Sequence, residues 1–161
     1  KVYAFEPNPA MIEELNRNIK LNQLTNVEVV PVALANAKGR MPFYNPKTGW
    51  EGHGSLKQNS TFNAQNVIEI VASRLDDVMM EKSIHKVDFI KIDVEGAELG
   101  VIQGAFRLLS SDKKPVIIFE AAENLCNEFG HTVFDTLKLI SDCGYEIRNI
   151  DWGNWLAKPK N

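Results

Sequence analysis

Short apolar runs of roughly four to eight residues alternate along the chain with longer stretches whose apolar side chains recur at helical spacing. The short runs are rich in valine, isoleucine and phenylalanine, which is typical of buried strands. They lie at residues 2–5, 27–34, 41–44, 67–72, 89–92 and 116–119. The helical spacing predicts helices over residues 10–21, 97–109 and 132–143, with residues 74–80 as a short connecting segment. Residues 145–150 and 155–157 predict a closing hairpin.

Strands that alternate with helices predict a mostly parallel sheet covered on both faces, with the hairpin as an antiparallel C-terminal edge. We therefore expect a Rossmann-like α/β fold in a single domain over residues 1–161. In the two later helices one set of side chains should face the core. The set is Leu99, Ile102, Ala105, Phe106 and Leu109 in the first, and Val133, Phe134, Leu137 and Ile140 in the second.

Prolines, asparagines and glycines mark several of the predicted boundaries. Pro7 ends the first strand, and Asn8 and Pro9 can start the following helix as its cap and first-turn residue. Pro31 interrupts the second strand and removes a donor from its ladder, which places that strand at or near a sheet edge. Gly144 lies where the last helix should end.

Acidic side chains follow three of the predicted strands. Glu6 follows the first, Asp93 and Glu95 follow residues 89–92, and Glu120 follows residues 116–119. Ligands of open parallel sheets bind outside the carboxyl ends of the strands, and an acid after a Rossmann strand can bind ribose hydroxyls. Each acid, taken singly, also fits a solvated loop, and Asp93 and Glu95 could instead satisfy backbone donors at the start of the next helix.

The region from residue 45 to residue 66 is polar and rich in Gly, Asn and Ser, and a loop of this length is usually functional or disordered. His53 would reach an acceptor if this loop folded over the site. Trp50, Trp152 and Trp155 could stack on a ring, although packing in the core or hairpin is the simpler interpretation for Trp152 and Trp155.

The composition makes several classes of function less favourable than others. The net charge is −3, 44% of the residues are hydrophobic, and acids and bases are mixed along the chain, which argues against a dedicated nucleic-acid groove. Cys126 and Cys143 form no CxxC pair, so we expect no metal site and a reducing, cytoplasmic location. No apolar run approaches the roughly 18 residues that span a bilayer, so we expect no membrane partner.

Several segments together resemble the FkbM family of S-adenosylmethionine-dependent methyltransferases. They are Val-Tyr-Ala-Phe-Glu-Pro-Asn-Pro at residues 2–9, Val-Pro-Val-Ala-Leu at 30–34, Gly-Ser-Leu at 54–56 and Ile-Lys-Ile-Asp-Val-Glu-Gly-Ala-Glu at 90–98. The resemblance implies a seven-stranded sheet with Glu6 on the ribose of the cofactor. It also implies that Ala33 and Asn36 contact adenine, and that Asp93 and Glu95 lie near its methionine end and the acceptor.

The sequence departs from the class I methyltransferase pattern at its start. That pattern opens with a strand and a glycine-rich turn, whereas this sequence begins at the position of the second strand and contains no GxGxG. We expect either a longer protein or another segment or subunit that fills the gap, a homodimer being one possibility.

These observations lead us to expect an S-adenosylmethionine-dependent methyltransferase that methylates a hydroxyl of a sugar or small metabolite. Asp93 is the favoured general base, with Glu95 and Glu120 as alternatives. A second hypothesis is a non-catalytic α/β domain that assembles through its incomplete sheet. The acidic Asp-Val-Glu-Gly segment argues against a third, a dinucleotide oxidoreductase.

Overall fold

Strands and helices alternate through the part of the chain that the computed structural model describes, which is residues 1–46, 54–58 and 66–160. The strands are β1 Val2–Phe5, β2 Val27–Val30, β3 Ala33–Leu34, β4 Gly39–Asn45, β5 Asn66–Ser73, β6 Phe89–Ile92, β7 Val116–Glu120, β8 Tyr145–Asp151 and β9 Asn154–Pro159. The helices are α1 Pro9–Leu21, α2 Leu75–Glu81, α3 Glu98–Gly104, α4 Phe106–Leu109, α5 Glu123–Glu128 and α6 Val133–Asp142.

The strands form three hydrogen-bonded groups. β1 pairs in parallel with β2, β5 lies between β3 and β4, and the remaining four strands have the order β6-β7-β9-β8. β6 and β7 are parallel, while β9 runs antiparallel to both β7 and β8. The predicted α/β class with an antiparallel C-terminal hairpin is confirmed. The strands before Glu6 and before Asp93 belong to different hydrogen-bonded groups, which agrees with the gap expected at the position of the first class I strand.

Pro31 divides the predicted strand 27–34 into two pieces. Val30 is the last residue paired with β1, and after the proline Ala33 and Leu34 pair with Ala72 and Ser73 of β5. Because proline has no N–H, the ladder of β2 cannot continue through it. Within the described ranges β2 pairs with β1 alone, so its predicted position at a sheet edge is confirmed.

Two predictions about helices were wrong. Residues 74–80 are not a connecting segment, because they contain helix α2, and the predicted helix 97–109 breaks at Ala105 into α3 and α4. A side chain of α2 accounts for this break. The Asp76 carboxylate accepts the backbone N–H groups of Arg107 at 2.9 Å and Leu108 at 3.1 Å, and so caps α4 from another helix. The sequence patterns did not predict helix α5.

The main core lies between the four-stranded sheet and helices α3, α4 and α6. Its fully buried side chains include Ile102, Leu109, Ile117, Phe119 and Tyr145. A smaller cluster joins β3, β4 and β5 and consists of Ala33, Ala35, Phe43, Ile70 and Ala72.

Three aromatic side chains that we expected to be packed are exposed. The exposed fractions are 50% for Phe106, 68% for Phe134 and 101% for Trp152. In α4, which starts after the break at Ala105, Leu108 and Leu109 are buried instead of Phe106, and in α6 the side chain of Thr136 is buried. Trp155, as expected, packs against the main core.

None of the helices in the described ranges combines the length and the apolar character that crossing a membrane requires.

Replacing Asp76 with alanine should destabilise the protein by about 2–3 kcal/mol, because two backbone donors would lose their buried acceptor. Urea unfolding would measure the change. Asp77→Ala is the matched control. Asp77 is more exposed and pairs with the Arg107 side chain at 3.2 Å, so the control should cost less than about 1 kcal/mol. Equal losses in the two variants would contradict a capping role for Asp76.

Candidate functional site

A tight turn follows β6, and a buried carboxylate holds it in place. Glu98, only 2% exposed, accepts the backbone N–H of Val94 at 3.1 Å and of Gly96 at 3.3 Å with the same oxygen, Oε1. Between these two donors lies Glu95, whose φ of 53° is in the left-handed region that few side chains adopt. The hydrogen bonds to Glu98 stabilise this unusual backbone conformation.

The same turn is held from two other sides. Gly96 has a φ of 97°, and a Cβ there would lie 2.7 Å from the carbonyl oxygen of Leu125 and 2.9 Å from the Phe129 ring. Only glycine therefore fits this position. On the other side, the Ser55 hydroxyl donates to the carbonyl oxygen of Glu95 at 3.2 Å. Residues from three separate segments thus fix the turn.

Asp93 and Glu120 come together at the carboxyl ends of the adjacent parallel strands β6 and β7. Burial raises the pKa of Glu120, and the charge of Asp93 and a hydrogen bond to it raise that pKa further. Lys91 acts in the opposite direction, and its ammonium lies 3.1 Å from Asp93 Oδ2. Glu95 also raises the pKa of Glu120, so its charge acts on the same group. The structure therefore assembles these carboxylates into one acidic cluster.

Glu6 occupies the corresponding position after β1. Its Oε1 accepts the backbone N–H of Asn8 at 2.7 Å, and burial raises the pKa of its carboxyl while that hydrogen bond lowers it. Within the described part of the chain this carboxylate has no other hydrogen bond, which leaves Oε2 for a ligand. Asn8 in turn caps α1 by accepting from Ala10, as predicted, and donates to Asn45 at 2.9 Å.

A cavity of about 430 Å³ lies on another side of the turn. Asn36 and Gln103 face it and hydrogen-bond to each other at 3.0 Å, and Leu56, Phe129 and His131 form other parts of its wall. None of the four carboxylates singled out in the sequence is among its lining residues in the described ranges. The cavity and the acidic cluster are therefore separate features.

Comparison with known protein families decides the assignment. The model of the methyltransferase FkbM domain matches residues 1–147. The chain belongs to the FkbM methyltransferase family. The predicted resemblance is thereby confirmed over most of the sequence.

Individual methyltransferases are similar to this chain at modest identity. The chain is 28% identical over 131 residues to methyltransferase sdnD of Sordaria araneosa, covering 65% of this chain and 51% of the relative. It is 27% identical over 126 residues to 2-O-methyltransferase NoeI of Sinorhizobium fredii, covering 70% of this chain and 51% of the relative. The chain thus spans about half the length of these curated relatives.

A solved FkbM methyltransferase shares the fold. The crystal structure of methyltransferase FkbM from Methylobacillus flagellatus superposes with a TM-score of 0.64 at 20% identity. The match covers 98% of this chain and 36% of the other. This similarity confirms the Rossmann-like class that the alternation of strands and helices predicted.

The sequence predicts a site at the end of β6 but does not single out Glu98. The sequence offers Asp93 and Glu95 as acceptors for backbone donors near the start of the helix, and the structure adds Glu98, which accepts those of Val94 and Gly96. The signal available was an acid at the first position of α3, close after a glycine, but the same pattern is typical of an exposed helix start.

The other proposed roles keep the status of predictions. Ala33 is buried in the smaller core cluster, and Asn36 faces the cavity. A contact of either residue with adenine stays a prediction. The same holds for the roles given to Glu6, Asp93, Glu95 and Glu120. His53, Trp50 and most of the loop 45–66 lie outside the described residues.

Replacing Glu98 with glutamine should change how stability depends on pH. Burial is the main cause that raises the pKa of Glu98 above its ordinary 4.5, so the folded state favours the protonated form. Its contribution is fully present below the unfolded pKa and is lost as pH rises through the folded pKa. The amide keeps an acceptor for Val94 and Gly96. The free energy of unfolding of Glu98→Gln, relative to wild type, should therefore increase between pH 4 and pH 7.

Urea unfolding at several pH values would measure this difference. A difference between the two proteins that stays constant across the range, or that falls as pH rises, would contradict a buried, charge-disfavouring environment for Glu98.

Proposed function

We propose that this chain is the catalytic part of an S-adenosylmethionine-dependent O-methyltransferase. The observation that carries the proposal is the pairing of Asp93 with Glu120 beside a rigid turn, in a chain of the FkbM family. A carboxylate of raised proton affinity suits general-base catalysis, and the raised pKa of Glu120 places such a group beside Asp93, the base that we propose.

The residues present fit the nucleoside part of the cofactor. Glu6 is half-buried at a strand end and has one oxygen engaged by Asn8, and its second oxygen would accept from the ribose hydroxyls. Asn8 is itself held by Asn45, so the position of the carboxylate is determined before a ligand binds. Rigid placement of this kind reduces the entropic cost of binding.

The chemical step asks little of the protein beyond position and a base. Bound S-adenosylmethionine would supply an activated methyl group. Asp93 would take the proton that the acceptor hydroxyl loses as its oxygen becomes methylated, and Glu120 would share that proton through its hydrogen bond with Asp93. The ammonium of Lys91, 3.1 Å from Asp93 Oδ2, would hold that carboxylate in position for the acceptor hydroxyl.

One relative supports oxygen as the accepting atom. The similar protein from Sinorhizobium fredii is described as a 2-O-methyltransferase. We extend oxygen methylation to this chain because the acidic cluster offers a base for a hydroxyl, and we propose a sugar or small metabolite as the acceptor.

Binding of S-adenosylhomocysteine to the full-length protein should give a clear signal in isothermal titration calorimetry. Glu6→Gln should weaken this binding about tenfold or more, because it removes a charged acceptor for two hydroxyls. Glu13→Gln, an exposed acid of α1, is the control and should bind like wild type. Absence of binding by the wild type would refute the proposed function.

Asp93→Asn should lower kcat by roughly 10²-fold or more, as expected for loss of a general base, while S-adenosylhomocysteine still binds. Glu120→Gln should cause a smaller loss. Asp88→Asn is the control, because Asp88 lies just before β6, is exposed and pairs with Lys86. Full activity of Asp93→Asn would exclude Asp93 as the base.

A second candidate function is assembly without catalysis. Within the described residues, β1–β2 and the four-stranded sheet share no strand pairing, and Val2 and Phe89 on β1 and β6 are about half exposed. Such strands can pair with another chain. This alternative predicts a dimer in sedimentation velocity and no heat with S-adenosylhomocysteine, so the same titration separates the two functions.

A further inference from the structure

Trp152 is the most exposed large hydrophobic side chain among the described residues. It lies in the turn between β8 and β9 and its exposed fraction is 101%, so it contributes no packing to the fold. Trp155, three residues later, packs against the main core and shows that the hairpin can bury an indole. Solitary exposed apolar residues are common, so the meaning of Trp152 depends on where it lies.

The hairpin register places Trp152 at the edge that carries the acidic cluster. Asn154 of β9 is the register partner of Glu120, the last residue of β7. The backbone N–H of Ala121 then donates to the carbonyl oxygen of Gly153 at 2.8 Å. Trp152 therefore directly precedes Gly153, which is hydrogen-bonded to Ala121 just after β7. This position is at the same edge as Asp93 and Glu120, the carboxylates of the proposed general base.

Polar groups surround the indole on the same turn. Asn154 donates from its amide to Asp151 Oδ1 at 2.8 Å, and Asn149 donates to the carbonyl oxygen of Asn154 at 3.3 Å. These bonds hold the turn but use only part of the capacity of each group, since a carboxylate and an amide oxygen each accept more than one hydrogen bond. A flat apolar surface is thus bordered by groups that can bind hydroxyls.

The charges at this edge restrict the ligand. β6, β7 and β8 end with or are followed by Asp93, Glu120 and Asp151, and Lys91 is already paired with Asp93. Repulsion by these carboxylates disfavours phosphorylated and carboxylated molecules. A neutral ligand with hydroxyl groups suits the same surface.

We propose that Trp152 is the platform on which a neutral pyranose ring of the acceptor stacks, next to Asp93 and Glu120. A pyranose has a face of C–H groups that covers an indole and hydroxyls at its rim that reach Asp151 and Asn154. A planar aromatic acceptor fits less well, because no second apolar wall faces Trp152 in the described residues. The proposal rests on the function proposed above and names its substrate class.

The test uses the full-length protein with bound S-adenosylhomocysteine and methyl β-D-glucopyranoside as the probe. Saturation-transfer NMR should show contact with the ring C–H protons of the glycoside, and Trp152→Ala should weaken its binding about three- to tenfold. Trp152→Phe should keep most of the affinity. Phe106→Ala removes an exposed aromatic of α4, toward the opposite edge where β7 begins, and should leave binding unchanged.

Two further probes define the ligand class. Glucose 6-phosphate should bind more weakly than the neutral glycoside, and p-cresol should show no dependence on Trp152. Equal glycoside binding by Trp152→Ala and wild type, or equal losses in Trp152→Ala and Phe106→Ala, would overturn the proposal. So would p-cresol binding that depends on Trp152 when glycoside binding does not.

Titration of each variant with S-adenosylhomocysteine separates this proposal from the function on which it rests. Because Trp152 is fully exposed, Trp152→Ala should fold and bind S-adenosylhomocysteine like wild type. Normal cofactor-product binding with unaltered glycoside binding refutes the platform alone, whereas no binding of S-adenosylhomocysteine by any variant refutes the proposed function.

Discussion

The arrangement of the site depends on one buried carboxylate. Glu98 accepts the N–H groups on both sides of Glu95 and so determines the path of the chain as it leaves β6. A buried acid without such donors would be strongly disfavoured, and a left-handed glutamate without such an acceptor would relax. Each part stabilises the other. The path of the chain from Val94 to Gly96, and with it the position of Glu95, follows from these two hydrogen bonds.

The position of the cluster follows from the pairing of parallel strands. β6 and β7 run side by side, so residues after their carboxyl ends must meet, and Asp93 approaches Glu120 across the ladder. The antiparallel hairpin adds its turn to the same edge through the pairing of Glu120 with Asn154. The Asp93–Glu120 pair, the turn and the indole of Trp152 are therefore brought to one edge by backbone hydrogen bonding.

Local patterns were sufficient for features that depend on local physics. Apolar runs predict the strands, and Asn8 predicts the start of α1. The rule that ligands bind at the carboxyl ends of parallel strands predicts that Asp93 and Glu120 lie at the same edge. Features that depend on partners distant in the sequence were not predicted. The break at Ala105 requires Asp76, which lies 31 residues from Arg107, and periodicity cannot register a cap supplied from another helix. Likewise, burial of Glu98 and exposure of Trp152 depend on tertiary packing, which hydrophobicity alone does not reveal.

We propose that Glu6 and the Asp93–Glu120 pair form two ends of one cofactor site although their strands are not hydrogen-bonded to each other. A crystal structure of the full-length protein with S-adenosylhomocysteine would test this arrangement. We predict ribose hydroxyls within hydrogen-bond distance of Glu6 and the sulfur atom facing Asp93 and Glu120. A nucleoside bound elsewhere, for example in the cavity beside Asn36 and Gln103 with Glu6 still bonded only to Asn8, would contradict this account.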